Sequence, residues 1–372
     1  MDKNWNNSKL ALWVVAFLCI PYLGNIGGMV FSSVGKYYYI VLGVVCAGDM
    51  VYNLWKRNWD VRGFLNYGRN KIVIPVLVVL VLLVAISLLL GNTFDNVAFG
   101  ILLLFFYFYY AQLYVTDAFL EQIGKGATVL LYVEGFLTMI ADTRLEYFNP
   151  NSYAFFATVM FMFSCLYVCK GERSRQKTTV FCLNAIMAFA LCYLVYKSET
   201  QLLSLVLFIM LVLAGRWMTE RTKLYRLFVL TVFAFVILLP LVTCLLIEMN
   251  VLTTDFLSMR GMRWMDATAD LRAAGLLRVS NSDVGPHNGV LDICLKYGVL
   301  ASIGGLVVLF CTIASKSTAV KSDRMNRLLF YIVITLVFMN SVESFMVGLT
   351  DGYVMLIALA MLSSRSEKYY FF

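Results

Sequence analysis

Long apolar runs broken by short polar segments repeat from one end of the chain to the other. Twelve runs stand out, at about 10–23, 37–54, 72–90, 97–116, 126–141, 152–169, 179–196, 201–215, 227–247, 288–314, 328–345 and 350–363. A spanning helix needs roughly 20 apolar residues, so most runs match a bilayer crossing and the short last one also suits a re-entrant segment. The first run follows Lys3 and Lys9, as a signal peptide would. It lacks a small-residue cleavage site and leads straight into further runs, so it reads as a span. No ten-residue alternation suggests a barrel, and backbone groups in lipid must be paired internally. The pattern therefore predicts an all-α, polytopic integral membrane protein of about twelve transmembrane helices.

Composition sharpens this reading. Of 372 residues, 61% are hydrophobic and 14% charged, against about 45–50% and about 25% in a soluble chain. An ordinary soluble enzyme and a disordered chain are excluded. With five prolines and no long polar stretch, residues 1–372 read as a single transmembrane domain. The net charge of +8 falls in short clusters between apolar runs rather than in one patch, so no nucleic-acid partner is expected. With both termini placed inside, 22 Lys and Arg lie on inner segments and seven on outer ones. That imbalance fixes an N-in/C-in orientation. The nine cysteines lie mostly in apolar runs, form no Cys-x-x-Cys pair and share the chain with one histidine. No metal site and no cofactor are expected.

Four of the seven outer positive charges share one segment, 250–287, the longest loop in the chain. Phe256 to Leu277 contains good helix formers and no proline, and Ser280 to Gly289 carries turn residues. A long outer loop holding a helix and then a turn is the prediction.

This loop also gathers the candidate chemistry. Arg260 and Arg263, three apart, adjoin on one side of the helix. Each guanidinium is a planar fork suited to phosphate oxygens. Alternatively, Arg263 pairs with Asp266 on the surface. Trp264, one turn after Arg260, either anchors the helix at the interface or stacks on a sugar. His287, the only histidine, stands where the loop re-enters the membrane. A neutral imidazole there can take a proton near neutral pH, or simply sit in the first turn of a helix. Asn288, Asp292 and Lys296 follow at spacings of four and share a face of the tenth run. Ionisable groups in a span usually face the bundle interior. Asp292 and Lys296 form either a structural ion pair or a substrate contact. Glu343, Glu134 and Asp49 are lesser examples of charge within or near spans.

Ser258-Met259-Arg260 followed by Trp264 resembles the Ser-Gly-Arg-x-x-x-Trp segment of the O-antigen ligase/polymerase superfamily. Pro286-His287-Asn288 with Leu291 and Gly298 is similar to its His-Asn-x-x-Leu stretch. Asn149-Pro150-Asn151 is similar to its Asn-Pro-Asn segment, and Ser198 falls where members often have Ser-Arg. Met259 replaces the usual glycine, and Glu199 stands where arginine is common, with Lys197 adjacent. The resemblance implies glycosyl transfer at the outer face of the plasma (inner) membrane, from an oligosaccharide on a polyprenyl diphosphate. It implies polymerisation of repeat units into capsule, exopolysaccharide or O-antigen, or ligation of the glycan to another acceptor. Arg260 and Arg263 would hold the diphosphate and His287 would act as base. Asn288, Asp292 and Trp264 would orient it or a sugar. Implied partners are membrane lipid, a flippase and a chain-length regulator. A different class, a flippase or other transporter of the same lipid-linked units, has the same span count. Its polar residues belong nearer mid-membrane, and no two-fold repeat is visible.

Overall fold

The computed structural model describes residues 30–56, 58–59, 73–111, 115–140, 150–171, 174–276, 279–280, 285–343 and 349–366. Every regular element among these residues is helical, with no strand among them. The first expected span, 10–23, and the segment Asn149 fall outside the described residues, as does Arg278.

The helices are α1 (Val30–Lys56), α2 (Val73–Leu89), α3 (Phe94–Ala111), α4 (Asp117–Ile140) and α5 (Pro150–Val168), then α6 (Arg175–Ala190), which continues as a π turn over Leu191–Val195. There follow α7 (Glu199–Thr219), α8 (Thr222–Glu248), α9 (Phe256–Ala274), α10 (Gly289–Tyr297), α11 (Val299–Ser315), α12 (Ser317–Ser322), α13 (Arg324–Met339) and α14 (Leu349–Ser366). Phe94–Ala111, Arg175–Val195, Thr222–Glu248 and Val299–Ser322 are each long and apolar enough to cross a membrane. Shorter apolar helices are Val78–Leu89, Tyr153–Val168, Glu199–Gly215 and Val354–Arg365.

The chain falls into two compact units. One is drawn from Met1–Tyr38, Leu113–Glu220 and Ala319–Thr335, the other from Tyr39–Gln112, Arg221–Thr318 and Leu336–Phe372. In the first, α5 packs on α4, α6 and α7. Gly124 makes the α4–α5 approach possible, because a Cβ there would lie 2.3 Å from the Tyr167 backbone nitrogen. In the second, α3 packs on α2 and α14, α8 on α9 and α11, and α10 on both α9 and α11.

The tenth run, expected as one span over 288–314, is two helices. Gly298 stands between them at φ 82°, a left-handed value that L side chains resist. It ends α10 through its N–H to Cys294 O (2.9 Å). The Ser302 N–H and Oγ then both donate to the Gly298 carbonyl, at 3.1 and 2.7 Å, and start α11. The eleventh run also stops early. Helix α13 ends at Met339, and 340–343 form a turn in which Glu343 N–H donates to Met339 O (3.2 Å). The loop helix is present but ends three residues short of expectation, at Gly275 with φ 77°.

Candidate functional site

Nine residues of α10 organise the second unit because each of three faces does a different job. Leu291 and Leu295 pack with Trp264 and Ala267 of α9 and Cys244 of α8. Asp292 and Lys296 form an ion pair (3.2 Å). Ile293 and Tyr297 line an apolar cavity. Spacing of four residues on a 3.6-residue turn produces each stripe.

The start of α10 is fixed by Asn288. Its Oδ1 accepts from Val290 N–H and Leu291 N–H, both at 3.0 Å, which is an N-cap satisfying two otherwise unpaired donors. Its Nδ2 donates to Ser341 O (2.8 Å) and Val236 O (3.3 Å). The side chain is 0% exposed. Gly289 lets the turn after α13 lie against this end, since a Cβ would sit 2.4 Å from Asn340 Oδ1, and Gly289 N–H donates to Asn340 O (2.8 Å). These bonds carry the 340–343 turn to the mouth of the loop.

Glu343, at the end of that turn, joins Arg260 and His287. Its Oε1 accepts from Arg260 Nη2 (2.6 Å) and its Oε2 lies 3.1 Å from His287 Nδ1. The Glu343 side chain is 4% exposed, Arg260 16% and His287 29%. Arg260 also donates from Nε to Val342 O (2.8 Å) and from Nη1 to Leu257 O (3.3 Å). Arg263 is exposed and makes one long bond, from Nη1 to Gly285 O (3.3 Å). It bonds that carbonyl rather than Asp266. His287 has φ 48°. A non-glycine residue held there stores of order 1–3 kcal/mol of strain, which concentrates at working sites.

Arginine, carboxylate and imidazole in a row have a defined chemistry. A carboxylate can only accept, so Nδ1–H of His287 donates to it and the ring's lone pair falls on Nε2. That nitrogen can take a proton. Two N–H groups of Arg260 and most of the Arg263 fork remain for an anion. Among the described residues, no three His, Cys, Asp or Glu side chains gather closely enough to hold a metal ion.

Several expected roles change. Trp264 is 0% exposed in the α8–α9–α10 core, so it holds the loop helix rather than orienting a sugar by stacking. Asn288 spends both of its polar atoms on the backbone, so it shapes α10 rather than orienting substrate. Asp292 is 6% exposed and paired with Lys296 at 3.2 Å. Glu343 takes the orienting role on His287. Its own signal was a carboxylate within an apolar run, shared with Glu134 and Asp49, and nothing in the sequence pairs it with residues 56 and 83 positions away.

Ser198 lies elsewhere, in the first unit, with its backbone N–H on Cys192 O (2.9 Å) beyond the π turn. Family models give no match to the chain, and no curated protein sequence is similar enough to count as a relative.

Proposed function

We propose that this protein is a membrane glycosyltransferase that polymerises polyprenyl-diphosphate-linked oligosaccharide repeat units at the outer face of the plasma membrane. The observation that carries the reading is the Arg260–Glu343–His287 row beside the exposed Arg263. In this reading the chain has about twelve spans and the loop 250–287 lies outside, as the distribution of Lys and Arg requires.

His287 Nε2 takes the proton from an acceptor hydroxyl. The acceptor oxygen attacks the anomeric carbon of the donor, and the bond from that carbon to the diphosphate oxygen breaks. The leaving oxygen keeps the electron pair. Arg263 and the free edge of Arg260 stabilise the charge as it develops, the role of preorganised donors in group transfer. Glu343 fixes the imidazole tautomer and stabilises the imidazolium. Polymerisation is favoured over ligation because the loop is compact.

The test is purified protein with a defined lipid-linked repeat unit, followed by a gel of the products. Ladders of longer glycan are expected from wild type, with His287→Gln reduced by about 10²–10⁴-fold. Translocation of the substrate across a bilayer without elongation would replace this reading with a transporter.

A further inference from the structure

The second unit contains a half-open apolar cavity of about 200 Å³ walled by α2, α3, α10, α11 and α14. No charged side chain lines it. Four hydroxyls do, and each is already bonded to protein. Ser302 donates to Gly298 O (2.7 Å), Thr312 to Val308 O (2.8 Å) and Tyr297 to Asn96 O (3.0 Å), while Tyr107 shares a hydrogen with Ser363 (3.3 Å). The wall therefore offers a ligand no charged group and few spare donors, only hydroxyl oxygens that can accept. A sugar or headgroup would lose its hydrogen bonds to water there, whereas a hydrocarbon chain would lose nothing.

The cavity shares a wall with the candidate site. Ile293 and Tyr297 line it from α10, and the same helix begins directly after His287 and Asn288. Ile293 and Tyr297 lie five and nine residues past Asn288, about 8 and 14 Å along the helix at about 1.5 Å per residue. Glycines make the room. A Cβ at Gly100 would meet Tyr297 Oη at 2.9 Å and Val84 Cγ1 at 3.0 Å, so glycine on α3 leaves space for the Tyr297 ring. A Cβ at Gly305 of α11 would make only an ordinary contact, with Leu80 Cδ2 at 3.8 Å.

We infer that this cavity holds the hydrocarbon chain of the lipid-linked donor while its phosphates lie at Arg263 and the free edge of Arg260. The inference rests on the function proposed above, and it names the part of the substrate that the loop cannot bind. Recognition is divided along α10, with charge at its first turn and hydrocarbon along the Ile293–Tyr297 stripe.

The experiment uses the full chain in nanodiscs and a prenyl phosphate carrying a diazirine on its chain, with a diazirine-bearing phosphatidylglycerol as the second probe. Photolysis and peptide mapping should place the prenyl label on α2, α3, α10, α11 or α14 residues of the cavity wall. Gly305→Trp should plug the space, cut that labelling at least ~10-fold and raise KM for the long-chain donor by a similar factor. Its thermal unfolding, compared with that of Gly305→Ala, checks that the plug folds. A prenyl label that maps elsewhere, or that survives undiminished in a folded Gly305→Trp protein, overturns the inference. So does equal cavity labelling by phosphatidylglycerol that prenyl phosphate cannot displace. A wild-type protein that labels in the cavity yet elongates no glycan supports the chain site while removing the polymerase reading. Elongation with a label outside the cavity does the reverse.

Discussion

His287 Nδ1 lies 3.1 Å from Glu343 Oε2, and the same carboxylate receives Arg260 at 2.6 Å. One buried side chain thus sets both the tautomer of the imidazole and the position of a guanidinium. Glu343→Gln keeps the shape but replaces one acceptor oxygen with an NH₂ donor. The ring then loses its fixed tautomer. Turnover should fall about 10²–10⁴-fold with a smaller change in KM. His287 is the only histidine in the chain, so isotope-labelled histidine reads its tautomer without overlap. An unchanged tautomer in the Gln variant would remove Glu343 from this role.

Asn288→Ala should cost stability rather than substrate affinity. It removes an N-cap, worth about 1 kcal/mol, and leaves the Ser341 and Val236 carbonyls without their donor. A total loss of about 2–4 kcal/mol is expected. Asn288→Asp restores the cap but sets a carboxylate against those two carbonyls in a fully buried position, and should be at least as damaging. Thermal unfolding in detergent, read beside KM of the surviving fraction, separates stability from binding.

The apolar runs located nearly every described helix because lipid and helix core both reward contiguous apolar residues. The same rule hid the break at Gly298, since apolar residues continue on both sides of it. One glycine in such a run is equally compatible with a continuous helix. Asn288 carried a readable signal, an asparagine just before an apolar run, which favours a cap. Trp264 did as well. With Ala267 and Leu271 it marks one face at helical spacing, and that face is the one packed on α8 and α10. The link from Glu343 to His287 had no local signal, because it depends on how the turn after α13 docks on Gly289.

Met259 stands where the resemblance has glycine, and it adopts φ 67°. A side chain in that region costs roughly 1–2 kcal/mol relative to glycine. Met259→Gly should therefore stabilise the protein by about 1 kcal/mol after glycine's greater unfolded-state entropy is deducted. A measured loss of stability would show that the Met259 side chain, 48% exposed, packs in a way that outweighs the backbone strain.

Glu121 lies in the first turns of α4, ahead of the apolar stretch, with Lys125 Nζ at 2.9 Å and Lys170 Nζ at 2.5 Å. Hydrogen bonds from Lys125, then Lys170, hold its carboxyl at about 2, below the ordinary 4.5. The folded value lies below the unfolded one. The stabilisation is complete above about 4.5 and is lost as pH falls toward 2. Glu121→Gln should lower Tm at about pH 6 and lower it less at about pH 3, where wild type has begun to lose the same interaction. Equal effects at both pH values would remove this carboxylate from the acid response.

Arg260 and Arg263 should separate cleanly when each is changed to lysine. Arg260 donates to Val342 O, Leu257 O and Glu343 at once, with 16% of its side chain exposed. Lysine keeps the charge but cannot make a forked set of contacts. Arg260→Lys should lose stability, and Arg260→Ala should lose about 3 kcal/mol because Glu343 is then left buried without its cation. Turnover falls in both because His287 loses its orienting partner's position. Arg263 has one long bond and an exposed fork. Arg263→Lys should leave stability within about 0.5 kcal/mol of wild type. It should slow elongation by losing bidentate contact with the diphosphate, on the order of 2–3 kcal/mol in the transition state. The separating measurements are thermal unfolding and kcat/KM on one lipid-linked donor. If Arg263→Lys elongates at the wild-type rate while Arg260→Lys is folded and inactive, the diphosphate lies on the remaining edge of Arg260, and Arg263 is only a surface charge.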